Sequence, residues 1–146
     1  MYRRILVPLD RSGTDAAILA HVRGLARHCG AAVVLVHVAD GFAARHLSTL
    51  ALRESQEIQE DRRYLEAACA ALRDAGYECE SILAAGDPAT EIVAAAEREG
   101  CDLIAMGVHG HRGLQDLFRG ATADTVRHRT PVPVLMVRDP SRAARA

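Results

Sequence analysis

Gly107, Gly110 and Gly120 stand in a G-x2-G-x9-G spacing directly after the apolar run "CDLIAM", with Arg112 and Arg119 between them. Glycine lets the backbone adopt positive φ and approach a ligand closely, so amide N–H groups can point at phosphate oxygens. A helix starting after Gly120 would add its N-terminal amides and dipole, and the two arginines could neutralise phosphate charge. By spacing alone the segment is as compatible with a plain connection as with a phosphate cradle. A second polar feature, Asp10, closes the first apolar run as "PLD". A carboxylate there either meets a ligand or caps the next helix.

The composition excludes several chemistries. All 18 basic residues are arginine. A Walker P-loop needs a lysine after its last glycine, and a receiver-type phosphorylation domain needs one after its fifth strand; neither is available. The dinucleotide fingerprint G-x-G-x-x-G is missing after the first strand. "DRSGTD" (10–15) lacks the second glycine and final serine of an ATP pyrophosphatase loop and reads as a helix N-cap. His109 and His111 have no third metal ligand placed nearby in sequence and are not assigned to a metal. His37, inside an apolar run, reads as a hydrogen-bonded core histidine. No Ser-His-Asp set, activated cysteine or paired carboxylate motif is evident, so no catalytic residue and no metal ligand is assigned.

These residues must be positioned by short elements. "RILVPLD" (4–10), "AAVVLVHVAD" (31–40), "YECESILAA" (77–85), "CDLIAMG" (101–107) and "VPVLMVR" (132–138) read as strands. Ser12 and Asp15 form an expected capping box. Ile18, Val22, Leu25 and Cys29 then recur at helical spacing up to Gly30. A loop is expected over 41–50, followed by a long helix to about Asp74 with Leu52, Ile58, Leu65, Cys69 and Leu72 towards the core. Its charged run 53–63 reads as a solvated face with i,i+4 pairs. Asp87-Pro88 opens a helix that ends at Gly100. A last helix is expected from about Thr122 to Arg129.

Strands alternating with helices predict an α/β fold, a parallel sheet covered on both faces. In such sheets ligands sit beyond the carboxyl ends of the strands, where the winding reverses. The chain of 146 residues, with net charge −1, is long enough for one domain and offers no basic field for nucleic acid or membrane. Cys29, Cys69, Cys79 and Cys101 form no C-x-x-C pair and read as small apolar residues in a reducing compartment. With no signal h-region and no membrane span, a cytoplasmic location is expected.

"PLD", "LVHVAD", "GDPATEIVAAA", "DLIAMGVHGHRG" and "RGATADTVRHRTPVPVLMVR" occur in the order and spacing of the universal stress protein family, which the chain resembles to about Arg138. The resemblance implies a universal stress protein domain over 1–138 and a flexible tail over 139–146. It implies a Rossmann-like, adenine nucleotide alpha hydrolase-like fold with strand order 3-2-1-4-5. It further implies a homodimer built through the last strand and an ATP site beside G-x2-G-x9-G-[ST]. Carried over by position, Asp10 meets the adenosine, with Pro8 and Leu9 on the same strand end, and Val38 contacts adenine through its backbone. Met106, Gly107, His109, Gly110, Arg112 and Gly120 line the ribose and phosphates.

The departure is Ala121, at the Ser/Thr place. One lost hydrogen bond to a charged phosphate costs roughly 1.5–3 kcal/mol, or about one to two powers of ten in affinity. Thr122 carries a hydroxyl one residue later, about 100° around a helix axis. The expectation is a regulatory module that binds ATP, with or without Mg²⁺, between strands 1 and 4 and hydrolyses it little or not at all. Occupancy would order the loops at 41–50 and 108–120 and alter the surface offered to an as yet unidentified protein partner. The alternative is a nucleotide-free dimeric stress-response interaction module.

Overall fold

The computed structural model describes residues 1–40, 47–108 and 114–140, with backbone alone for 40, 47–55 and 114–119. Five strands, β1 (Arg4–Pro8), β2 (Ala32–Asp40), β3 (Cys79–Gly86), β4 (Leu103–Val108) and β5 (Val134–Arg138), form one sheet in the order β3-β2-β1-β4-β5. Every pairing is parallel. The helices that join them are α1 (Thr14–Cys29), α2 (Leu47–Asp74), α3 (Pro88–Arg98) and α4 (Leu114–Arg129).

The apolar runs of β1, β2 and β4 show no polar alternation because both faces of those strands are covered. Ile5, Val7, Val33, Leu35 and Leu103 face α1 and α2, meeting Ile18, Val22, Leu65 and Leu72. Leu6, Val34, Val36 and Ile104 face the other way, onto Ile92, Ala95, Ala96 and Val126 of α3 and α4. Full burial of each such side chain contributes about 1.5–3 kcal/mol, which fixes β1, β2 and β4 as the interior of the sheet. The four cysteines are buried or half-buried thiols, as their spacing suggested.

Chain order and strand order diverge at β1. From there the chain winds outward through β2 to β3, then crosses to β4 on the other side of β1 and continues to β5. The strand order is the one the family resemblance implies. Sequence pattern and structure agree on Gly30, left-handed at the close of α1 (φ 66°), and on the Asp87 N-cap of α3, whose carboxylate accepts from Thr90 N–H at 3.0 Å. Among the described residues no helix is long and apolar enough to cross a membrane.

Five expectations need correction. α4 begins at Leu114, not near Thr122, so Gly120 and Ala121 lie inside a helix. "LQDLFR" contains good helix formers, and one interior glycine, costing about 1 kcal/mol, is not enough to break the run. α2 likewise starts at Leu47, within the segment expected as loop, since no glycine or proline occurs from there to Asp74. Ser12 is not the N-cap of α1; Gly13 is, without a side-chain cap. The run 53–63 is not wholly solvated, because Asp61 is buried, while Ile58, assigned to the core, is exposed.

Candidate functional site

Beyond the carboxyl ends of β1, β2 and β4, where the winding reverses, lies a crevice of about 300 Å³. Pro8, Leu9 and Asp10 supply its floor from the end of β1, and Val36, His37 and Val38 its side from β2. Met106 and Gly107 enter from β4, Pro88 and Ile92 from the start of α3, and Thr122 from α4. The walls are mostly aliphatic, with Asp10, Thr14, Asp15, His37 and Thr122 as the polar side chains, the usual composition of a site for a partly apolar, partly charged small molecule.

The predicted residues divide clearly. Pro8, Leu9, Asp10, Val38, Met106, Gly107 and Thr122 meet around this crevice. Gly120 and Ala121 do not line it; Ala121 is exposed, and its carbonyl accepts from Thr125 Oγ1 at 2.8 Å. The resemblance carried Gly120 and Ala121 over to the phosphates; in the structure both lie inside α4, and the next residue, Thr122, is the one that lines the crevice. His109, Gly110 and Arg112 lie outside the described residues.

Gly107 is glycine for want of space. A Cβ there would lie 2.7 Å from Thr14 Cγ2 and 3.7 Å from Ile18 Cβ, although its φ is not in the left-handed region. Its absent side chain lets α1 approach the end of β4.

A polar network underlies the floor. Asp15, 4% exposed in the first turn of α1, accepts hydrogen bonds from Asp10 N–H (3.2 Å), Arg11 N–H (2.9 Å) and the Tyr64 hydroxyl (2.6 Å). Asp10 Oδ1 accepts from Ser12 N–H at 3.0 Å, closing a local turn. Arg11 donates to Asp61 at 2.8 Å and its guanidinium lies 5.9 Å from the Tyr64 ring centroid. His37 Nδ1 donates to the Leu9 carbonyl at 2.8 Å, while Nε2 sits 3.4 Å from Asp61. The reading of His37 as a hydrogen-bonded core histidine therefore holds, though the ring also reaches the crevice. Burial pushes the Asp15 carboxyl up, against the pull of the Tyr64 hydroxyl and the Asp10 amide. Burial, then the bond to Asp15, pushes the Tyr64 phenol up as well.

Thr14, Asp15, Pro88 and Ile92 in the lining, and Asp61 and Tyr64 behind it, escaped the sequence reading. A signal existed for the two carboxylates. Asp15 lies three and seven residues before Ile18 and Val22, and Asp61 four and eight before Leu65 and Cys69. Each therefore sits on the apolar stripe of its helix, where an acid is buried and must be hydrogen-bonded.

Comparison with known proteins gives a consistent picture. The profile of the Universal stress protein family matches residues 1–138. Universal stress protein MJ0577 of Methanocaldococcus jannaschii is 31% identical over 155 aligned positions, covering 94% of this chain and 96% of the relative. The solved structure of MJ0577 superposes with a TM-score of 0.83 at 32% identity, covering 95% of this chain and 97% of that one. A universal stress protein from Archaeoglobus fulgidus, solved in complex with dAMP, superposes with a TM-score of 0.70 at 25% identity over 92% of this chain and 97% of that one.

Proposed function

The chain belongs to the universal stress protein family, and from that premise we propose that its crevice binds an adenine nucleotide, ATP with Mg²⁺ foremost, as a regulatory signal rather than as a substrate. The observation that carries this reading is the convergence of Asp10, Val38, Met106, Gly107 and Thr122 on one crevice at the winding reversal. A family member crystallised with dAMP supports an adenine nucleotide as the class of ligand.

The residues present fit such a ligand. Adenosine lies against Val36, Val38 and Ile92, with the backbone of Val38 available to the base and Asp10 available to the ribose hydroxyls as acceptor. Phosphates lie towards Gly107, whose backbone is bare, and towards Thr122, which lines the crevice from α4. Thr122 thus takes the part that residue 121 cannot play.

Hydrolysis is not the task in this reading. Among the described residues, the Asp15 carboxylate and the His37 imidazole are committed to other bonds, Asp15 accepting three donors and His37 spanning Leu9 and Asp61. Asp10, which also accepts from Ser12 N–H, is placed against the ribose. A general base needs an acceptor aimed at the attacking water, and these are aimed at the protein or the ribose. The chain acts as a homodimer in the cytoplasm through β5, an edge strand whose Met136 is 42% exposed and whose unpaired backbone invites a second copy.

Titration calorimetry of ATP and Mg²⁺ into nucleotide-stripped protein tests the reading, together with phosphate release over hours. One saturable site per subunit and no turnover above background is the expected result. The outward-facing Ala121 favours the nucleotide-free interaction module instead, and absence of heat up to millimolar ATP would decide for it.

A further inference from the structure

The end of β1 is held in an unusual way. Arg11 has φ 61°, alone among the described non-glycine residues in the left-handed region, where a side-chain-bearing residue is strained. The successive amides of Asp10 and Arg11 point at one carboxylate as a small anion-binding nest, and the left-handed Arg11 turns the chain after them into α1. The anion in the nest is the chain's own Asp15, whose two oxygens accept from the two amides. Tyr64, reaching over from α2, donates to the same carboxylate at 2.6 Å. Asp61 of α2 holds the Arg11 guanidinium from outside.

We infer that Asp15, braced by Tyr64, is a positioning residue for nucleotide binding: it holds the Asp10–Arg11 turn in its left-handed form and so fixes Asp10 at the crevice floor. The inference rests on the nucleotide reading given above. It adds two residues, one of them from the long helix α2, whose described side chains do not line the crevice.

The physical argument is one of compensation. A strained turn persists only where its surroundings over-determine it, and here the carboxylate fork does so. The fork forms only because α1 starts immediately after the turn, placing Asp15 below both amides. Without the carboxylate nothing ties the two amides to the start of α1, Arg11 is free to relax towards negative φ, and Asp10 loses its fixed place at the crevice floor. Preorganisation of Asp10 is lost, and binding must restore it. Asp15 itself is in the first turn of α1, so its anionic form also gains from the helix N-terminus.

The test compares wild type, Asp15→Ala, Asp15→Asn and Tyr64→Phe at a temperature where circular dichroism shows all four folded. Backbone amide exchange by NMR reads the turn, and titration with ATP and Mg²⁺ reads the site. In Asp15→Ala the Asp10 and Arg11 amides are expected to exchange at least about tenfold faster, with β2 amides unchanged, and ATP affinity to fall about tenfold. Asp15→Asn keeps one acceptor oxygen and should fall between Asp15→Ala and wild type; Tyr64→Phe should lose about threefold.

A structural role alone would lower the melting temperature without moving affinity among folded variants. Unchanged affinity in Asp15→Ala overturns the positioning role, whatever the amides do. Lost affinity with both amides still protected overturns it too, because the carboxylate would then act on the ligand directly. A wild type that binds no ATP removes the nucleotide reading and this role together, which separates the two failures.

Discussion

Gly107→Ala isolates the close approach of α1 to the end of β4. The added Cβ would sit 2.7 Å from Thr14 Cγ2 and 3.6 Å from Thr14 Cβ. Thr14 is 2% exposed and β-branched, so it has no open space to turn into. Forcing an extra carbon into such packing costs typically about 1–3 kcal/mol. Because Gly107 is not in the left-handed region, alanine also recovers about 0.4–1 kcal/mol by restricting the unfolded chain. The net loss is therefore about 1–2 kcal/mol, a fall in Tm of roughly 3–6 °C for a domain of this size. Urea unfolding followed by circular dichroism measures it, with an unchanged m-value expected. The decisive control is Thr14→Ser, which removes the clashing methyl and keeps the hydroxyl. In the double variant the Gly107→Ala penalty should disappear, giving a coupling of about 1–2 kcal/mol. Additive losses, or a Gly107→Ala protein as stable as wild type, would refute the packing argument.

Other expectations concern the ligand, the cap and the edge. Thr122→Val should weaken ATP binding about ten- to hundredfold by calorimetry, whereas Ala121→Ser, on the outer side of α4, should change it less than about threefold. Asp87→Ala should destabilise the fold by about 1 kcal/mol, since Asp87 caps α3 through Thr90. The two Thr90 bonds hold the Asp87 carboxyl below its ordinary 3.8, so this stability is fully present above that pH and is lost as pH falls through the lower folded value. Acid titrations of wild type and Asp87→Ala should therefore converge only below about pH 4, the unfolded carboxyl value; convergence nearer neutrality would contradict the cap. Met136→Arg, at the exposed edge of β5, should convert a particle of twice 15.7 kDa into a monomer by light scattering, and a monomeric wild type would remove the dimer.

Much of the architecture was readable because β1, β2 and β4 are covered twice. Runs such as Val33–Val36 leave no polar residue in phase, and that pattern admits few folds other than a parallel sheet between helices. The crevice was readable as far as strand ends reveal it, in Asp10 after β1 and Gly107 towards the end of β4, whereas Val38 and Met106 came from the family resemblance. What escaped depends on contacts between distant segments. Asp15 passes locally for a capping residue, and only the left-handed Arg11 and the arrival of Tyr64, 49 positions along the chain, make it the anchor of a turn. Asp61 passes for one more charge in an acidic and basic run until Arg11 and His37 meet it. The start of α4 was misplaced because glycine was read as a breaker at Gly120, where the good helix formers Leu114, Gln115, Leu117 and Arg119 before it prevail.

The central claim is that an adenine nucleotide occupies the crevice at the ends of β1, β2 and β4. Amide chemical-shift mapping of isotope-labelled protein during titration with ATP and Mg²⁺ tests both binding and place. The account predicts saturating shifts at Leu9, Asp10, Val38, Gly107 and Thr122, with Arg3 and Asp102, bonded to each other at the opposite end of the sheet, unmoved. No shifts up to millimolar ATP, or shifts gathered away from these five residues, would contradict it.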